Sequence, residues 1–135
     1  WNDQSGMTLL EIMIVLVILG GLIAVLATQV TGRLKKARVQ EAKIQIAEVG
    51  KALDMFYTDC GFYPSAEQGL EALVSAPGDC PNWGPDPYIK NVPKDPWNNR
   101  YIYENQGGSY VLTSLGADRR EGGKNDAADI SSNDL

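Results

Sequence analysis

One carboxylate stands inside an otherwise apolar run. Glu11 lies between Leu10 and Ile12, five residues after Gly6, and the stretch stays apolar to about Val30. A carboxylate in hydrocarbon costs on the order of 3 kcal/mol or more, so such an acid is usually functional and usually partnered. Two other groups have types and spacings that suit chemistry. Cys60 and Cys80 form an even pair. Asp118, Glu121, Asp126, Asp129 and Asp134 are interleaved with Gly116, Gly122 and Gly123. The chain has no histidine. This removes the commonest general base and the commonest metal ligand, and with them histidine-dependent triads and most zinc sites. Asp54, Asp59 and Glu67 accompany no recognisable nucleophile or phosphate loop, so the residues point away from an enzyme.

The acidic tail and the cysteines each leave two readings. Calcium takes about six to eight oxygen ligands, and glycines permit the tight turns such a loop needs. There is no D-x-D-x-D-G pattern, so spacing alone leaves a calcium site and a solvated acidic tail equally open. Beyond a membrane helix, a cysteine pair invites a disulfide. A Cys60–Cys80 bond would close a loop of about 20 residues, worth roughly 3 kcal/mol in the chain-entropy account. Two free thiols are the alternative; no CxxC spacing suggests catalysis or metal binding.

The 135 residues allow one domain plus a membrane segment, and a net charge of -5 argues against nucleic acid as a partner. Residues 1–6 read as the end of a leader. Residues 7–30 are long enough to span a bilayer, which takes roughly 20 apolar residues; Gly20-Gly21 is the weak point of that helix. An ordinary signal-anchor with a chance Glu, or a cleaved secretory signal, is the bland alternative. Residues 31–57 continue as an amphipathic helix, because Val39, Ala42, Ile46, Val49, Leu53 and Phe56 recur at steps of three and four. Arg33, Lys35, Lys36 and Arg38 follow the span, as a solvated or headgroup-facing surface or as a patch that pairs with acids of a neighbouring protomer. Residues 59–64 break the helix. Ser65 and Gln68 form a capping box ahead of a short helix burying Leu70, Leu73 and Val74. Tyr88-Ile89-Lys90 reads as a short edge strand. Residues 100–104 and 109–114 alternate and flank turn residues, so they read as an antiparallel hairpin. The tail, residues 115–135, is expected to be disordered unless something ties it down.

The run Gly6-Met7-Thr8-Leu9-Leu10-Glu11-Ile12 resembles the class III signal of type IV pilins and pseudopilins. Further along, Tyr63-Pro64-Ser65-Ala66-Glu67-Gln68-Gly69-Leu70-Glu71-Ala72-Leu73-Val74, Asp95-Pro96-Trp97-Asn98-Asn99 and Ser114-Leu115-Gly116-Ala117-Asp118 resemble the major pseudopilin family of type II secretion. The resemblance implies an α+β, type IV pilin-like fold: a long N-terminal helix, half membrane and half amphipathic, packed on a small antiparallel sheet with a C-terminal loop. It divides the chain into leader remnant 1–6, membrane and filament-core helix 7–30, and periplasmic domain 31–135. It implies a dedicated prepilin peptidase that cuts between Gly6 and Met7 and methylates Met7. Glu11 would then meet the N-terminal amine of a neighbouring subunit; a free ammonium is the partner Glu11 lacks within its own chain.

By the same resemblance the chain is a non-catalytic subunit anchored by one span in a bacterial inner membrane, with its globular part in the periplasm. It would lie in membrane lipid before assembly, then polymerise with copies of itself and with minor pseudopilins on an inner-membrane platform. The growing fibre would push folded proteins through an outer-membrane channel. The runner-up is a type IV major pilin for adhesion or twitching. The family also implies calcium in the C-terminal loop, held by Asp118, Asp129 and the backbone carbonyls of Leu115 and Arg120. The usual second aspartate is Ala127 or Ala128 here, so Asp126 would have to reach in. Arg119 stands where the family often has glycine, and the cysteine pair lies outside the usual pattern.

Overall fold

The computed structural model describes Gly6 and residues 8–135. The expected leader residues 1–5 and Met7 therefore lie outside the described residues. The first element, α1, runs Leu9–Cys60 and passes through Gly20-Gly21 without interruption. The chain divides into two compact units between Lys35 and Lys36.

In the first unit the helix is exposed at every position from Leu9 onward. Residues 9–30 would measure about 33 Å at the α-helical rise, close to the roughly 30 Å of a bilayer's hydrocarbon core. The helix is long and apolar enough to cross a membrane, with a mean hydropathy of 2.9 in its most apolar window.

In the second unit the same helix is one-sided. Ala42, Ile46, Val49, Leu53 and Phe56 are buried, on the stripe that the three-and-four spacing predicts, and Val39 at its start is half-buried. Gly50 sits beside this stripe because a β-carbon there would lie 2.5 Å from the Tyr110 hydroxyl. The helix ends where the Gly61 N–H bonds the Tyr57 carbonyl at 2.7 Å. Ser65 and Gln68 then form the expected capping box: the Ser65 N–H donates to Gln68 Oε1 at 3.0 Å and the Gln68 N–H to Ser65 Oγ at 3.2 Å. The helix that follows, Gly69–Leu73, is 3-10 rather than α, and it buries Leu70, Ala72 and Leu73.

Three strands, β1 (Ile102–Asn105), β2 (Tyr110–Ser114) and β3 (Ile130–Ser131), make an antiparallel sheet in that order. The hairpin β1–β2 is the expected one, with Ile102 opposite Thr113 and Asn105 opposite Tyr110. Two expectations need correction. Tyr88-Ile89-Lys90 is not a strand, because the Tyr88 and Ile89 amides are spent on the Leu73 carbonyl, at 2.9 and 3.4 Å. The tail is not a free coil. Ser114 pairs with Ile130, and Ile130 is 6% exposed within the core that contains Leu112 and Phe56. One apolar residue in an acidic segment is a weak signal for a strand, and it is enough because β2 offers an unpaired edge.

Candidate functional site

Glu11 does have a partner in its own chain. The Thr8 N–H donates to Glu11 Oε2 at 3.3 Å, and the Glu11 N–H donates to Thr8 Oγ1 at 3.2 Å. This is a capping box. It satisfies two of the donors that a helix N-terminus leaves without partners, and it places the carboxylate at the positive end of the helix dipole. The sequence signal is Thr-x-x-Glu ahead of an apolar run, the same signature as Ser65–Gln68. The cap is made of neutral donors and brings no cation to the carboxylate. The carboxylate is exposed along with the apolar residues around it, and Gly6 just before it is exposed as well.

In the second unit the C-terminal loop gathers the acids unevenly. Asp118 Oδ1 accepts the Arg120 N–H at 3.1 Å. Asp129 Oδ2 accepts the Gly122 N–H at 3.1 Å, while Asp129 Oδ1 is buried with no hydrogen-bond partner. A buried carboxylate oxygen without a donor is costly, and a cation is the simplest group that would satisfy it. A β-carbon on Gly123 would lie 3.1 Å from Asp118 Oδ2 and would strike the Ala127 carbonyl, so the absence of a side chain keeps open a space lined by oxygen. Arg119 turns through φ 58, the left-handed region that glycine enters at least cost. These features fit a hard, oxygen-seeking cation. Among the described residues no three acidic side chains come together. Asp126 uses its backbone, its carbonyl accepting the Ala117 N–H at 2.9 Å. Leu115 is half-buried ahead of this turn, and Arg120 is exposed.

Cys60 and Cys80 are joined, with Cα atoms 5.3 Å apart. The bond ties the end of α1 to the segment after the 3-10 helix. Around it, the Tyr88 hydroxyl donates to Asp59 Oδ2 at 2.6 Å and the Trp83 indole donates to the Ala72 carbonyl at 2.7 Å. Phe56, Phe62, Trp83 and Tyr88 meet edge to face, the arrangement favoured by the ring quadrupole.

A further residue supports the loop, and the sequence gives little sign of it. Asp95 is 4% exposed. Its Oδ1 accepts the Trp97 and Asn99 amides at 3.2 and 2.7 Å, and its Oδ2 accepts the fully buried Ser114 hydroxyl at 2.8 Å. Ser114 in turn accepts the Gly116 N–H at 3.3 Å. Asp95 thus fixes the point where β2 enters the acidic loop. Asp-Pro-Trp reads locally only as a turn; the partner 19 residues away is set by tertiary packing.

Comparison with known proteins gives a consistent result. Residues 29–133 match the family described as type II secretion system (T2SS), protein G. Residues 1–27 match the prokaryotic N-terminal methylation motif. The chain is 49% identical to the type II secretion system core protein G of Pseudomonas aeruginosa, over 96% of this chain and 94% of that protein. It is 44% identical to the protein of the same name from Vibrio cholerae, over 96% and 91%. Its fold matches the crystal structure of the major pseudopilin from the type 2 secretion system of enterohaemorrhagic Escherichia coli, with a TM-score of 0.65 and 32% identity, covering 78% of this chain and 94% of that one.

Proposed function

The chain belongs to the type II secretion system protein G family and is a structural subunit of a pseudopilus, and we propose that it works by polymerising in the periplasm to drive folded proteins across the outer membrane. The observation that carries this reading is the helix of residues 9–30, apolar and exposed on every side. Such a surface is stable only in lipid or against other apolar helices. A single span followed by a folded unit serves both states, first as an inner-membrane anchor with residues 36–135 in the periplasm, then as the core of a helical homopolymer.

Processing fits the same sequence of events. A prepilin peptidase would cleave between Gly6 and Met7 and methylate the new amine on Met7. Glu11, already oriented by Thr8, would supply the negative charge that the amine of an adjacent subunit meets as helices bundle. The assembly platform and minor pseudopilins are the remaining partners of this reading, and it assigns no catalytic residue. The family match over residues 29–133 favours this role over a type IV pilin for twitching or adhesion.

Calcium is the cofactor this reading includes. Asp118 and Asp129 would supply carboxylates, and the backbone carbonyls of Leu115 and Arg120 neutral oxygens. When bound, the ion supplies positive charge that offsets the converging oxygens of the loop. The support within the chain is the unpartnered Asp129 Oδ1.

The test is the culture-supernatant protein profile of a strain deleted for this gene, with twitching scored alongside. The expected outcome is loss of exported proteins with normal twitching, restored by the parent gene. Normal export with lost twitching would assign the chain to a type IV pilus instead.

A further inference from the structure

We infer that in this chain the backbone carbonyl of Ala127, and not the carboxylate of Asp126, joins Asp118 and Asp129 in the calcium loop, and that Gly123 is the residue that holds the space open. The inference rests on the calcium reading above.

Three successive carbonyls decide it. Those of Asp126 and Ala128 face Gly116: a β-carbon there would lie 2.8 Å from the first and 2.7 Å from the second. The Asp126 carbonyl is also bound by the Ala117 N–H, which pins this peptide to the start of the loop. The carbonyl between them, that of Ala127, lies against Gly123, beside Asp118 Oδ2. Gly123 stands at φ +102, a conformation open to glycine and strained for any other residue, so both its backbone and its missing side chain are matched to the place.

The carboxylates show the same division of labour. Asp118 spends Oδ1 on the Arg120 amide and turns Oδ2 to Gly123. Asp129 spends Oδ2 on the Gly122 amide and leaves Oδ1 buried without a donor. Each acid thus spends one oxygen on shaping the loop. Gly122 and Gly123 connect the two. A carbonyl ligand adds no negative charge to the site. Because calcium affinity falls with ligand charge count, binding belongs in the weak range of extracellular modules, on the order of 10⁻⁴–10⁻³ M.

The experiment titrates calcium into the full chain in detergent, carrying carbon-13 at the alanine carbonyls and aspartate carboxyls, with Asp118→Asn and Asp126→Asn titrated beside it. The expected result is that the Ala127 carbonyl and the Asp118 and Asp129 carboxyl signals move together with one midpoint, while the Asp126 carboxyl stays. Asp126→Asn then keeps the midpoint within about threefold, and Asp118→Asn raises it tenfold or more. Movement of the Asp126 carboxyl with a static Ala127 carbonyl would overturn the ligand assignment and leave the calcium reading standing. A parent chain with no calcium-dependent signal at millimolar concentrations would overturn the calcium reading and the assignment with it.

Discussion

Asp95 shows how much one side chain settles in this molecule. It is a buried carboxylate whose charge is met by three donors, two amides of its own turn and the hydroxyl of Ser114. Hydrogen bonds to charged groups are worth about 1.5–3 kcal/mol each, and removing an acceptor leaves buried donors unpaired. Asp95→Ala is therefore expected to destabilise the folded unit by about 3 kcal/mol, measured by urea unfolding; a change below about 0.5 kcal/mol would show that the turn holds without it. The tyrosines give a second residue-level prediction. Burial, followed by the hydrogen bond to Asp54, pushes Tyr63 up to about 12, and burial pushes Tyr103 up to about 12. Both phenols ionise near 10 in the unfolded chain. The folded state thus keeps protons that the unfolded state releases. Their contribution to stability is complete below pH 10 and is lost as pH rises from 10 through 12. Unfolding midpoints followed from pH 9 to 12 should fall across that window, and Tyr63→Phe should flatten the fall. An unchanged slope in that variant would remove Tyr63 from the account.

At the scale of elements, legibility followed sequence distance. The stripe from Ala42 to Phe56, the Ser65–Gln68 cap and the β1–β2 hairpin are local patterns, and the chain folds as they read. The Cys60–Cys80 bond was open between two readings, because spacing cannot show that two Cα atoms lie 5.3 Å apart. β3 was hidden, since Ile130 has no alternating neighbours and is a strand only because β2 has a free edge beside it. In the acidic loop the glycines were legible as turn positions, while the aspartates left a calcium site and a solvated tail equally open. Which oxygens gather beside Gly123 was not legible, because it depends on which way each peptide points. The disulfide is an added brace at the end of α1, and the double variant Cys60→Ser/Cys80→Ser should lose roughly 3 kcal/mol relative to the oxidised parent. Reductant should lower the parent's thermal midpoint and leave the variant's alone. Equal midpoints for parent and variant would mean that the surrounding aromatic packing and the Trp83 and Tyr88 bonds suffice.

For the whole molecule, the described residues comprise an exposed apolar helix in one unit and a buried core in the other. Lipid or other copies of the helix must cover the first, and Glu11 is the one charged residue of positions 9–30 that can select how copies align. Its capping bond and its charge are separable. Glu11→Gln retains an oxygen to accept the Thr8 N–H and a helix of unchanged length, but carries no charge. The most direct measurement is electron microscopy of fibres from cells overproducing the parent or Glu11→Gln, with circular dichroism of both chains in detergent. The account predicts equal helix content, fibres from the parent and none from the variant. Fibres of normal number and length from Glu11→Gln would contradict it, and would reduce Glu11 to a helix cap.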